Sequence, residues 1–192
     1  MKKVLIILAV LFGIFLVIAI GLFGWAKTTY NTIVTMDEEV KGAWAQVENV
    51  LQRRYDLIPN LVETVKGYAT HENEVFTKVT EARSRVSGAG TPTERMKAEG
   101  ELSGALTRLM VVVENYPQLK ANENFIMLQD QLEGTENRIA VERGRYNNIV
   151  KTYNQFIRRF PAFILAGILN FPKHDFFEAP EAAQTAPKVK FN

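Results

Sequence analysis

The chain has 192 residues, 47% of them hydrophobic and 23% charged, with two histidines and no cysteine. That length allows one domain of roughly 150 residues plus an appendage, and the lack of cysteine excludes disulfides, thiolate chemistry, cysteine-ligated zinc and lipid attachment through cysteine. The formal charge of +2 comes from Lys2 and Lys3: without them 21 basic residues face 21 acidic ones, so the rest is neutral and lacks the basic surplus of a nucleic-acid binder.

Val4 to Ala26 is an uncharged run of 23 residues, VLIILAVLFGIFLVIAIGLFGWA. As a helix it is about 35 Å long, enough to cross a hydrocarbon core of about 30 Å. Trp25 and Lys27 stand where an interfacial aromatic and a snorkelling cation belong. Gly24-Trp25-Ala26 also fits the small-x-small pattern of a signal-peptidase site, but the apolar run exceeds the ~7–15 residues of a signal sequence. The expectation is an uncleaved anchor over residues 1–27. Lys2 and Lys3 before it, against Lys27 after it, place the N-terminus in the cytoplasm and the body outside the bacterial inner membrane. Ala9 and Gly13 form a small-xxx-small pair, a spacing common in membrane helices generally.

Beyond the anchor the pattern is helical. A 3-4 spacing runs Ile33, Asp37, Val40, Trp44, Val47, Leu51, Arg54, Ile58, Leu61, Val65, Tyr68, Glu72, Val75, Val79, Ala82, Val86. Pro59 predicts a kink, and Gly67 to Thr70 a turn that re-caps a second helix. Ser87-Gly88-Ala89-Gly90 ends that helix, and Thr91-Pro92-Thr93-Glu94 opens the next with a cap, a first-position proline and a capping-box glutamate. The third helix turns Leu102, Leu106, Leu109, Val113 and Tyr116 inward and stops at Pro117. The fourth runs through Phe125, Leu128, Leu132, Ile139, Tyr146, Val150, Tyr153, Ile157 and Phe160.

The expected fold is all-α: an up-and-down antiparallel four-helix bundle over residues 28–160, with helices at 28–67, 71–87, 92–116 and 122–159, on one N-terminal transmembrane helix. Residues 161–178 form a short apolar segment beside the membrane, and 179–192 an Ala/Pro-rich disordered tail.

No catalytic constellation stands out. A zincin motif around His71 needs a histidine where Val75 stands, and di-iron pairs need glutamates where Tyr68 and Phe171 precede the two histidines by three. No nucleophile elbow, P-loop or dinucleotide fingerprint occurs. The expectation is therefore no enzyme, no cofactor and no metal. Charges on the seam are more informative, because a buried charge must be paired. Arg54 is expected to meet Glu136 or Glu142, with Arg143 beside them, in a network that sets bundle register. Tyr-Asn dipeptides recur at Tyr30-Asn31, Tyr146-Asn147 and Tyr153-Asn154. They are read as cross-helix cement, with Tyr30-Asn31 and Tyr153-Asn154 at the membrane end, or else as a partner-binding patch. Arg158, Arg159, Phe163 and Phe171 are candidate membrane contacts.

The segments AWAQVENVLQRRYDLIPNLV (43–62), VKGYATHE (65–72), YPxLKANENF (116–125), LEGTENRIA (132–140), RYNxxVxxYN (145–154) and FPAF (160–163) resemble the bacterial LemA family. The likeness covers about residues 28 to 178 and the anchor. It implies a four-helix bundle on a single membrane helix, with no established activity and no catalytic residues to carry over. Members are often encoded beside a membrane zinc metalloprotease of the heat-shock type, an association with envelope quality control. The functional expectation is a non-catalytic scaffold or adaptor of the envelope, touching the bilayer and a protein partner or another copy of itself. The alternatives are a homo-oligomeric membrane-shaping protein and a ligand-sensing bundle.

Overall fold

A computed structural model describes residues 2–177, and all its regular structure is helical, with no strand among those residues. The elements are α1 (Lys2–Lys66), α2 (Asn73–Gly88), α3 (Pro92–Val113), α4 (Pro117–Lys120), α5 (Glu123–Phe156) and α6 (Ala162–Ile168). The tail expected over 179–192 lies outside the described residues.

α1 is one helix of 65 residues, so the apolar run and the first expected bundle helix share a single backbone. Pro59 lies inside it and does not end it. Proline at that position leaves the carbonyl of Tyr55 without its helical donor, and the Nε–H of Arg83 from α2 donates to that oxygen at 3.3 Å. The break comes at 67–72, where the turn shifts the helical phase. Tyr68 therefore faces solvent and Ala69 goes in, and Phe76 takes the place expected of Val75. α3 begins at the expected Thr91: its hydroxyl accepts from the Glu94 N–H and the Glu94 carboxylate accepts from the Thr91 N–H, the reciprocal pair of a capping box. α3 ends at Val113 rather than at Tyr116, and Pro117 opens the short α4 instead of acting only as a stop. Asn122 accepts from the Phe125 N–H at 3.1 Å and starts α5. α5 ends at Phe156, short of the expected Arg159.

The chain packs as two compact units. The first comprises the described residues up to 41 with 149–174, and the second residues 42–148 with 175–177. In the second unit α2 and α3 are close neighbours across a three-residue link. Its interior is the apolar stripe of each helix: Val47, Leu51, Ile58, Leu61 and Val65 of α1, Phe76, Val79 and Val86 of α2, Leu102, Leu106 and Leu109 of α3, and Phe125, Leu128, Leu132 and Ile139 of α5. Each such side chain stabilises by about 1.5–3 kcal/mol relative to exposure. In the first unit Ile33, Val40, Val150, Tyr153, Ile157, Ala162 and Ala166 are buried. Residues 4–18 of α1 have no such cover; their large apolar side chains are 44–71% exposed. α1 is the helix among the described residues that is long and apolar enough, by length and composition, to cross a membrane. Phe160, placed on the inner seam by spacing, is 80% exposed because α5 has already ended.

Candidate functional site

Three groups of residues carry the chemistry worth testing. The first is a buried charge cluster in the second unit. Arg54 of α1 donates through Nη1 to Glu99 of α3 at 2.7 Å and to Ser103 at 3.2 Å, and lies 2.8 Å from a Glu136 carboxylate oxygen of α5. Tyr55 donates its hydroxyl to the other Glu99 oxygen at 2.7 Å. Arg54 is 6% exposed and Glu99 fully buried, whereas Glu136 keeps half its side chain in solvent. Burial pushes the Glu99 carboxyl above its ordinary range, against the opposing pull of Arg54 and the Tyr55 hydrogen bond. Burial and the Glu99 charge likewise raise the Tyr55 hydroxyl.

Spacing places Arg54 and Glu136 together, but Glu99 is the partner that sequence reasoning missed. Its signal was present: Glu99 precedes Leu102 by three and Leu106 by seven, on the same inward stripe. Glu142 and Arg143 do not join Arg54 by hydrogen bond or ion pair. Glu142 faces Arg145, one turn along, at 3.9 Å. Arg143 lays its guanidinium over the Phe177 ring at 4.1 Å, and burial lowers its pKa below the usual arginine value. Its Nε and one Glu142 oxygen are buried without a hydrogen bond among the described residues. A side chain leaving a helix has several directions open, which spacing along its own helix does not fix.

The second group is the tyrosine-asparagine pairs of α5, and here the expected cross-helix pairing is corrected. In the second unit the Asn147 amide donates to the Phe177 carbonyl at 2.9 Å and accepts the Phe177 N–H at 2.7 Å, while Tyr146 donates to the Asp175 carbonyl at 3.1 Å. In the first unit Asn154 donates to the His174 carbonyl at 2.8 Å and accepts its N–H at 3.1 Å, while Tyr153 donates to the Pro172 carbonyl at 2.9 Å. Residues 171–177 have no regular structure of their own, so their backbone groups must find partners elsewhere. An asparagine amide offers a donor and an acceptor side by side, as a neighbouring strand does.

Both pairs obey one rule: asparagine holds residue j and the preceding tyrosine holds j−2. Tyr30 and Asn31 take no part. Asn31 is exposed, and Tyr30, 45% exposed, meets the Phe171 ring at 6.1 Å between centroids.

The same segment supplies a polar link in the first unit. His174 Nε2 lies 2.7 Å from Asp37 Oδ1, and because a carboxylate only accepts, that nitrogen carries the proton. Lys41 pairs with the other Asp37 oxygen at 2.9 Å. Burial alone would raise the Asp37 pKa; the hydrogen bonds from Lys41 and His174 outweigh it and hold it below the usual value. Burial, with the Asp37 charge nearby, pushes the Tyr153 hydroxyl up to about 12.

The third group is basic and apolar. Arg158 and Arg159 are exposed and ion-pair with no carboxylate among the described residues. Phe163 is 50% exposed, and Phe171 is partly covered by Tyr30. No group of three or more histidine, aspartate or glutamate side chains suited to a metal ion occurs among the described residues.

Comparison with known proteins finds the LemA family profile matching residues 43–191. Magnetosome protein MamQ 2 of Paramagnetospirillum magneticum is 31% identical over 182 residues, covering 81% of this chain and 67% of the relative. Magnetosome protein MamQ of Magnetospirillum gryphiswaldense is 30% identical with the same coverage. Protein LemA of Metamycoplasma hominis is 24% identical over 172 residues, 88% of this chain and 78% of the relative.

Proposed function

From the premise that this chain belongs to the LemA family, we propose that it is a single-pass, membrane-anchored helical scaffold or adaptor without catalytic activity. Its work is in bacterial envelope protein assembly or quality control. The observation that carries this reading is the contrast within α1, where residues 4–18 are bare of packing and residues from Ile33 onward are buried at helical spacing. One continuous helix thus supplies an apolar anchor and the first element of a packed body. The body is an up-and-down four-helix bundle formed by α1, α2, α3 and α5. Arg54 reaching Glu99 and Glu136, and Arg83 reaching Tyr55, tie those four helices by polar contacts and support that arrangement. The flanking lysines orient the N-terminus toward the cytoplasm. The partners are the bilayer and another envelope protein, a membrane metalloprotease being the candidate that family association offers.

Crosslinking the full-length chain in its native membrane, followed by mass spectrometry, tests this. A foreign membrane protein captured in stoichiometric yield is the expected result. Self-crosslinks alone would replace the adaptor with a homo-oligomeric scaffold. Turnover of a small molecule by the purified folded chain would overturn the non-catalytic reading.

A further inference from the structure

α6 is packed inside out. Within the first unit Ala162 and Ala166, one turn apart, are buried at 6% and 5%, while the bulky residues around them face outward: Phe163 is 50%, Ile164 42%, Ile168 72% and Leu169 45% exposed. Phe160, just before the helix, is 80% exposed, its ring 6.3 Å from that of Phe163. A helix seeking cover from water would turn phenylalanine and isoleucine inward and alanine outward. Here the small side chains seat the helix closely, and the large ones form a contiguous apolar face.

The first unit also fixes the level of this face along α1. Thr29 is the first buried residue of α1, and Tyr30 meets Phe171, three residues beyond the end of α6. Tyr30 is four residues past Ala26, the last residue of the uncharged run, which places it about 6 Å beyond that end. The headgroup layer on each side of a ~30 Å hydrocarbon core is about 5–8 Å deep. Lys27, Arg158 and Arg159 are exposed in the same unit, and neither arginine ion-pairs with a described carboxylate.

We infer that residues 158–171 form an interfacial foot on the chain's own membrane, with α6 lying in the headgroup layer of an anionic bilayer. Phe160, Phe163, Ile164 and Ile168 reach toward the acyl chains, and Arg158 and Arg159 take lipid phosphate groups. The foot and the anchor together give two attachments on one unit, which fixes the tilt of α1 where one span alone leaves it free. This inference rests on the reading that residues 4–26 span the bilayer.

The test uses the natural absence of cysteine. Single variants Ile14→Cys, Ile168→Cys and Val111→Cys of the full chain are nitroxide-labelled and reconstituted in phosphatidylcholine vesicles containing phosphatidylglycerol. Accessibility to dissolved oxygen is then compared with that to a water-soluble nickel complex. The expected result is a label at Ile168 favouring oxygen several-fold over the aqueous label at Val111, though less than at Ile14. Adding Arg158→Ala and Arg159→Ala, or omitting the anionic lipid, is expected to move the Ile168 label toward water. An aqueous Ile168 label beside a lipid-exposed Ile14 label overturns the foot and leaves the anchor standing. An aqueous Ile14 label overturns both.

Discussion

Removing Arg54 is the sharpest test of the packing in the second unit. Glu99 is fully buried and its carboxylate is answered by Arg54 at 2.7 Å and Tyr55 at 2.7 Å. Arg54→Ala leaves the tyrosine donor but strips the only guanidinium bonded to that carboxylate among the described residues. Breaking a buried pair by deleting one partner costs about 3–5 kcal/mol, because the remaining charge stays desolvated. For a chain of this size each kcal/mol moves Tm by roughly 2–4 °C, so the expected loss is on the order of 6–20 °C. Thermal and urea unfolding of the detergent-solubilised full chain, followed by helical circular dichroism, reads it out.

The pH dependence adds a second signature. Burial raises the native pKa of Glu99 above the ordinary glutamate value, and loss of Arg54 raises it further. Between the unfolded and the native pKa the native state holds a proton that the unfolded state lacks, so stability rises as pH falls through that window. The Arg54→Ala deficit therefore shrinks on acidification, and Arg54→Ala with Glu99→Gln recovers much of it at neutral pH. A deficit under about 1 kcal/mol, the value of an exposed ion pair, or one independent of pH, would refute the reasoning.

Three further outcomes follow from the same structure. Asn154→Ala removes both hydrogen bonds that hold the His174 backbone; the expected change is faster amide hydrogen exchange at 173–175, with about 1–3 kcal/mol of local stability lost. Thr91→Ala opens the capping box of α3 and is expected to cost about 0.5–2 kcal/mol in urea unfolding, with Thr91→Ser near wild type. Asp37 has a lowered native pKa, so its contribution is present above the unfolded aspartate value and lost as pH falls through the native one. Titrating the unfolding midpoint below pH ~4 should show a steeper acid decline for wild type than for Asp37→Asn.

What the sequence made legible was whatever depends on local rules. The 3-4 stripe names Ile33, Val40, Val47, Leu51, Ile58, Leu61 and Val65, all buried at 2% or less, because a helix presents one face at fixed spacing. The Thr91–Glu94 cap is equally local. The stripe failed where its phase was carried through a break: Tyr68 and Phe160 point outward because the turn at 67–72 and the end of α5 reset the rotation.

Partner choice was harder to read than burial. Arg143 stacks on Phe177, and Tyr153 reaches Pro172 rather than Tyr30. Both partners sit on a segment without regular structure, whose path no periodicity announces. Its trace in the sequence was the seven-residue repeat of Tyr-Asn, visible without the backbone groups of 172–177 that explain it.

Cysteine accessibility with alkaline extraction tests most directly the proposal that one apolar helix anchors a packed helical body on the outer face of the membrane. On that proposal Val111→Cys in the full chain reacts with a membrane-impermeant maleimide in intact spheroplasts, and the chain stays in the pellet after carbonate. Labelling only after lysis would place the body on the cytoplasmic side. Release by carbonate would contradict the anchor itself.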